Sequence, residues 1–290
     1  MTVTRNSGCK INLLLNLLSK RSDGFHELET VMQPIALRDE ISFRKTSSGI
    51  SLKCDNPALP VDGTNLIHRA ATAFLKAANI RDGVEIHLAK KIPMAAGLGG
   101  GSGNAAATLL GLNELFAQPL TSSQLHELAA AIGSDAPFFL QECPALACGR
   151  GEKVQSLSSF PALRGLWALL IHPRFGISTV WAYKAMARFP DAVNGRAHRA
   201  QELIGLLQHD NPAEAGAAFY NALEMPALEK YPILSLFQEF LRSNGAVAAL
   251  MSGSGSTTFA LLKGQSEAGE LQERFLARFG RQNWTALVPL

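Results

Sequence analysis

The densest concentration of residues able to do chemistry is Pro93–Ala106, PMAAGLGGGSGNAA, with glycines at 97, 99, 100, 101 and 103. Five glycines within seven residues exceed what a tight turn needs, which is one or two. A glycine-rich segment running into a helix start offers unpartnered N–H groups and the positive end of the helix dipole, a setting that binds phosphate. A flexible linker or hinge would have the same composition. The nucleoside triphosphate pattern G-x-x-x-x-G-K-[ST] is absent, because no lysine lies inside the segment. The dinucleotide pattern G-x-G-x-x-G fails too: Gly97 and Gly99 lead to Ser102, and Gly99 and Gly101 lead to Asn104.

Few other residues stand out by type and place. Asp135 follows Gly133 and precedes Ala136-Pro137, where it could serve as an acid–base group or simply cap the following turn. Lys10 opens an apolar run as an ordinary strand-end charge would, and Asn12, two residues on, shares its face of a strand. Phe25 and His26 follow the turn Asp23-Gly24, and Tyr183 stands beside Trp181. Each of these aromatics could equally be packing. Ser252–Thr257, SGSGST, could be a plain hairpin loop. No His/Cys/Asp/Glu cluster has metal-ligand spacing, so a divalent cation would be expected to arrive on a nucleotide and keep several waters.

These residues need elements to hold them. Strands are expected over Lys10–Leu17, Glu29–Leu37, Glu40–Arg44, Ile50–Cys54 and Val84–Leu88, and again over Leu166–His172, Ala246–Met251 and Thr258–Leu262. Helical spacing predicts helices over Asn65–Ala78, with Thr64 as N-cap, and over Asn104–Phe116. A third helix is bracketed by Thr121 and Gln124, at capping-box spacing, and by Gly133. The run Ile11–Leu18 is too short and too interrupted by Asn12 and Asn16 for a secretory or membrane segment, and reads as a buried strand. The polar, Pro-containing stretch near residue 155 is the expected boundary, giving domains 1–155 and 156–290 in an α+β chain.

The 290 residues are 47% hydrophobic and 18% charged, enough apolar material for a core and too much for intrinsic disorder. Lys+Arg 27 against Asp+Glu 24 gives +3, too balanced for a nucleic-acid footprint. Four cysteines, Cys9, Cys54, Cys143 and Cys148, form no C-x-x-C pair; a reduced, cytoplasmic setting is expected, with neither nucleic acid nor membrane as partner.

The glycine segment resembles the loop P-x-x-x-G-L-G-x-S-S-x-A of the galactokinase, homoserine kinase, mevalonate kinase and phosphomevalonate kinase (GHMP) superfamily. Gly8–Leu28, GCKINLLLNLLSKRSDGFHEL, is similar to the opening A-K-I-N-L-x-L-x-V-x-x-[KR]-R-x-D-G-[YF]-H-x-[IL] of one member family, the 4-diphosphocytidyl-2-C-methyl-D-erythritol kinases. Asn65-Leu66-Ile67, Gly133–Phe139, Gly149–Glu152 and Met251–Ser256 follow in that family's order, so the resemblance spans residues 8 to 262.

The resemblance implies an N-terminal ribosomal-protein-S5-domain-2-like domain and a C-terminal ferredoxin-like domain, with the active site in the cleft between them. It implies ATP and 4-diphosphocytidyl-2-C-methyl-D-erythritol as substrates, with Mg2+ accompanying ATP. Asp135 would be the general base, with Lys10 keeping it ionised and polarising the acceptor hydroxyl. Pro93, Met94, Ala95, Ala96, Gly97, Leu98, Gly99, Gly100, Gly101, Ser102 and Gly103 would bind ATP, helped by Asn65, Leu66 and Lys90. Asn12, Phe25, His26 and Tyr183 would hold the second substrate, Phe25 and Tyr183 stacking on cytosine while His26 reads its edge. Gly253 and Ser254 are candidates at the phosphate end, and Ser102 is the one loop hydroxyl near Mg-ATP.

Three positions depart from the family: Cys9 for alanine, Phe25 for tyrosine, and Gly103 for the loop's second serine. If Ser102 suffices, Gly103→Ser is expected to be neutral or mildly helpful. Competing expectations are a homoserine- or mevalonate-type kinase, disfavoured by the DGFH turn, and a catalytically silent ligand-binding member.

Overall fold

A computed structural model describes residues 2–290. In chain order its strands are β1 (Thr2–Lys20), β2 (His26–Thr46), β3 (Ile50–Cys54), β4 (Gly83–Ala89), β5 (Ala145–Gly149) and β6 (Lys153–Ser156). They continue with β7 (Trp167–His172), β8 (Tyr220–Asn221), β9 (Ala248–Met251), β10 (Thr258–Leu262) and β11 (Trp284–Pro289). The helices are α1 (Leu66–Ala77), α2 (Gly100–Leu115), α3 (Ser122–Ile132), α4 (Thr179–Ala185) and α5 (Pro190–Val193). After them come α6 (Arg199–Leu207), α7 (Pro212–Ala217), α8 (Glu224–Lys230), α9 (Ile233–Ser243) and α10 (Gln265–Phe279).

Two compact units interleave along the chain. The first comprises residues 1–9, 37–93 and 99–142, and the second 10–36, 94–98 and 143–290. The expected boundary at residue 155 falls inside the second unit. The reason is pairing: β5 and β6 form a hairpin, and β5 joins the first half of β2 in register Leu28↔Gly149 to Met32↔Ala145.

In the first unit β4 lies antiparallel on the second half of β2, from Glu40↔Ala89 to Thr46↔Gly83, and β3 runs parallel to β4. Helices α1, α2 and α3 bury their apolar residues with these strands, around Phe43, Phe74, Ile86, Leu109, Leu112 and Leu125. The two strands expected over Glu29–Leu37 and Glu40–Arg44 are one strand, β2. Arg38-Asp39 looked like a break because a charge interrupts the apolar run; Asp39 is instead fully buried and satisfied by hydrogen bonds. Helix α1 starts one residue later than expected. Asn65, not Thr64, is its N-cap and accepts from the Ile67 N–H at 2.9 Å, while Thr64 turns back to Asp62.

In the second unit, β11-β7-β10-β9 form an antiparallel sheet. Helix α9 buries Leu234, Phe237 and Leu241, and α10 buries Leu271 and Phe275, at the three- and four-residue spacing of one helix face. The apolar run expected as a buried strand is the middle of β1: every residue from Cys9 to Leu17 is buried. Among the described residues no helix is long and apolar enough to cross a membrane.

His172, buried at the end of β7, shows how a polar group is accommodated here. The Ser256 hydroxyl donates to the Phe175 carbonyl, so its oxygen is left to accept from His172 Nδ1 at 3.2 Å, which puts the ring proton on Nδ1. Burial, reinforced by the nearby Arg174 charge, lowers the imidazole to about 4. The folded protein therefore holds a neutral ring that an unfolded chain would protonate near pH 6.5. Its contribution is full above about pH 6.5 and fades as pH falls towards 4, by at most about 1.4 kcal/mol per pH unit. Chemical denaturation between pH 7 and 4.5 should show this slope, and His172→Asn should flatten it. Parallel slopes in the two proteins would refute the assignment.

Candidate active site

The first unit carries the far end of the glycine segment. Gly99, with φ +71°, is the residue before α2, and its carbonyl accepts from Gly103 N at 2.9 Å. Helix α2 therefore begins at Gly100, four residues earlier than the expected Asn104, because the glycines form its first turn. Two of them permit what a larger side chain would block: Gly100 sits on Ile92 and on Lys90, and Gly103 packs against Gly8, while Gly101 faces Leu66 at ordinary contact distance. By helix geometry the N–H groups of Gly100, Gly101 and Ser102 have no partner one turn back, so they are available to an anion.

A buried polar network fixes this helix start. Asp39 accepts from Lys90 Nζ at 2.6 Å, from the Lys91 and Ile92 N–H groups at 2.7 and 2.8 Å, and from Asn104 Nδ2 at 2.9 Å. Asn104 also donates to Ser7 Oγ at 2.8 Å, and Lys90 to the Ile92 carbonyl at 2.6 Å. Lys90, expected as a basic contact to nucleotide, thus directs its ammonium inward and anchors the chain just ahead of the glycines. Asp39 and Asn104 escaped sequence reading. A charged residue between two apolar runs looks like a turn until its partners, 51 and 65 residues away, are in place.

Asp135 lies half-buried in the turn between α3 and the short 3-10 turn Pro137–Leu140. The N-cap position of that 3-10 turn belongs to Ala136, one residue after Asp135. The capping box of α3 is present as expected: Thr121 Oγ1 accepts from Gln124 N, and Gln124 Oε1 accepts from Thr121 N. The same turn adjoins the loop hydroxyl, because a Cβ on Gly133 would sit 3.9 Å from Ser102 Oγ.

The second unit assembles a different group of candidates. Lys10, only 2% exposed, donates to Asn12 Oδ1 at 2.6 Å and to the Gly97 carbonyl at 2.9 Å. Asn12 in turn donates to Thr30 Oγ1 at 2.8 Å. The shared strand face expected for Lys10 and Asn12 is therefore realised as a direct contact. Ser252 Oγ reaches the same Gly97 carbonyl at 3.0 Å, and Thr257 N donates to the Ala96 carbonyl at 3.2 Å. The 252–257 loop thus lies on residues 94–98 rather than forming an isolated hairpin. Gly253 approaches so closely that a Cβ there would stand 2.9 Å from Gly97 O and 3.1 Å from Lys10 Nζ. Ser254 Oγ pairs with Thr179 Oγ1 at 2.9 Å, at the start of α4.

Elsewhere in this unit, His26 and Tyr183, 157 positions apart in sequence, have ring centroids 5.6 Å apart. Burial first, and the Lys20 charge second, lower the His26 imidazole, which favours its neutral form. Phe25 is 51% exposed, with the Arg150 guanidinium 4.9 Å from its ring centroid. Arg150 gave no signal in the sequence beyond its place in Gly149–Glu152.

At Gly103 the expectation is overturned. The position is buried, and a Cβ there would overlap the Gly8 carbonyl oxygen and stand 3.1 Å from Ser7 Oγ. Gly103→Ser should therefore destabilise the protein, by about 1 to 3 kcal/mol as for other overpacking changes, rather than help it. A lower midpoint of thermal unfolding would show this; an unchanged midpoint would mean that β1 yields at no cost. Ser102→Ala, which removes the remaining hydroxyl without crowding, should lower kcat/KM for ATP by about 10- to 150-fold if that hydroxyl meets a charged ligand.

Residues 65–142 match the family described as GHMP kinases N terminal domain, and residues 189–282 match GHMP kinases C terminal. A 4-diphosphocytidyl-2-C-methyl-D-erythritol kinase of Pelotomaculum thermopropionicum is 41% identical over 276 residues, 95% of this chain and 94% of that protein. A crystal structure of 4-(cytidine 5'-diphospho)-2C-methyl-D-erythritol kinase superposes with a TM-score of 0.77 at 32% identity, covering 99% of each chain. The homoserine kinase of Cytophaga hutchinsonii, at 17% identity and a TM-score of 0.73, shares the fold. Matched in both its halves by the GHMP models and along nearly its whole length by these relatives, the chain belongs to the 4-diphosphocytidyl-2-C-methyl-D-erythritol kinase family of GHMP kinases.

Proposed function

We propose that this protein transfers the γ-phosphoryl group of ATP to the 2-hydroxyl of 4-diphosphocytidyl-2-C-methyl-D-erythritol, a step of non-mevalonate isoprenoid precursor synthesis. The observation that carries the reading is the near-full-length similarity to relatives of that name, beside an Asp23-Gly24-Phe25-His26 turn that resembles the family's opening motif. Phosphoryl transfer demands positioning and charge neutralisation more than covalent chemistry from the protein. The free amides at the start of α2 suit the triphosphate, and the Leu66 side chain beside Gly101 suits an apolar base.

Among the described residues no group of three or more His, Cys, Asp or Glu could hold a metal ion. The Ser102 hydroxyl instead fits a magnesium ion carried chiefly by phosphate oxygens and water, while the backbone amides suit the phosphates themselves. When bound, that ion supplies charge neutralisation on the triphosphate. Asp135 accepts the proton of the acceptor hydroxyl as its oxygen bonds to the γ-phosphorus and the bond to ADP breaks. Lys10, buried and oriented by Asn12 and the Gly97 carbonyl, offsets charge on the transferring group. His26, Tyr183 and Phe25 present a neutral imidazole and two rings suited to a pyrimidine.

The test is ATP consumption with magnesium and the cytidyl diphosphate acceptor, run beside homoserine and mevalonate. Turnover with the first acceptor alone is expected. Preference for either of the others would replace the substrate, and folded protein that consumes ATP with none would favour a silent ligand-binding member.

A further inference from the structure

Strand β9 is the edge of its sheet, so some of its backbone groups point away from β10 and need partners elsewhere. At Met251, its last residue, both outward groups are taken by one turn of chain. Glu224 Oε1 accepts the Met251 N–H at 2.7 Å, and Asn221 Nδ2 donates to the Met251 carbonyl at 2.7 Å. The same Nδ2 donates at 2.8 Å to the Gly253 carbonyl, and Asn221 Oδ1 accepts from Leu223 N at 3.0 Å. Asn221 is 2% exposed, and both its donors and its acceptor are engaged with backbone.

The backbone of this residue is fixed to a second element. Asn221 stands opposite Leu15 in the parallel pairing of β8 with β1, and the next N–H, of Ala222, donates to the Leu15 carbonyl at 2.8 Å. One carboxamide therefore ties the 252–257 loop to the strand bearing Lys10 and Asn12. That loop meets Lys10 at the Gly97 carbonyl, which accepts from both Ser252 Oγ and Lys10 Nζ.

We propose that Asn221 is a positioning residue for phosphoryl transfer, its carboxamide holding the Met251–Gly253 backbone so that Gly97 and the Lys10 ammonium keep their places. This rests on the kinase reading above. Asn221→Asp tests it, because the variant keeps the shape and the acceptor for Leu223 N but turns a carboxylate oxygen on two carbonyls. A misplacement of about 1 Å can cost about 10²-fold. The expected result at pH 8 is a fall in kcat approaching that size, with a smaller rise in KM for ATP. Faster hydrogen exchange at the amides of residues 252–257 should accompany it. Partial recovery of kcat is expected on lowering the pH, as the protonated carboxyl regains one donor.

Should Asn221→Asp fail to fold, Asn221→Ser, too short to reach either carbonyl and uncharged, takes its place for the kcat and exchange measurements. Half of wild-type turnover or more in either folded variant overturns the proposal, as does unchanged exchange at 252–257. A pH profile of Asn221→Asp parallel to wild type reduces the residue to a structural one. A wild-type protein that phosphorylates no acceptor overturns the kinase reading and the catalytic part of this one, while the exchange measurement still decides whether the clamp exists.

Discussion

Asp135→Asn is expected to lower kcat by about 10² to 10⁴-fold, the range that a positioned general base contributes. Asparagine matches the shape of the carboxylate and cannot accept the hydroxyl proton, so the loss should fall on turnover. ATP affinity should change little, because the turn carrying Asp135 adjoins Ser102 without forming the start of α2. Steady-state kinetics with both substrates, a nucleotide titration and a thermal melt distinguish these effects. A folded Asp135→Asn protein with more than half the wild-type kcat would remove Asp135 from the chemistry.

Gly97→Ala should be nearly as damaging, by a different route. Gly97 has φ +74°, and a Cβ there would overlap the Ser252 carbonyl oxygen while standing 2.9 Å from Gly255 N. The left-handed conformation costs an ordinary residue about 1 to 2 kcal/mol, and the overlap adds displacement of a loop held by Asn221. Because the Gly97 carbonyl also orients Lys10, both nucleotide binding and turnover should fall, by tenfold or more together for about 1.4 kcal/mol of combined loss. Gly99→Ala is the comparison. It has a similar φ of +71° and borders the free amides, so it should chiefly weaken ATP binding. Wild-type kinetics in Gly97→Ala would mean that the loop is not set by its contact with residues 252–257.

The parts of this protein legible from sequence are those whose causes are local. The capping box of α3 needs only Thr121 and Gln124, three residues apart, and it formed as expected. The glycine cluster announces a close backbone approach, and Gly97 and Gly99 do take positive φ. The apolar run Ile11–Leu18, too short and too interrupted for a membrane segment, pointed to a buried strand, and Cys9–Leu17 are all buried in β1, Lys10, Asn12 and Asn16 included. Motif order was legible too, and it carried the family.

What stayed hidden depends on partners far along the chain. Asp39 reads as a loop residue until Lys90 and Asn104 surround it, so β2 was split in two. Gly103 reads as a missing hydroxyl until the Gly8 carbonyl fills the space a side chain would need. Asn221, 30 residues from the backbone it holds, offers no local pattern at all. Sequence alone determined the fold class, the glycine-rich segment that opens α2 and the residue types available for chemistry, because spacing and backbone permissiveness are encoded within a few positions. Only the tertiary structure decided which of those residues are anchored, by whom, and how little room is left around them, because hydrogen-bond satisfaction and close packing are settled between elements that lie far apart along the chain.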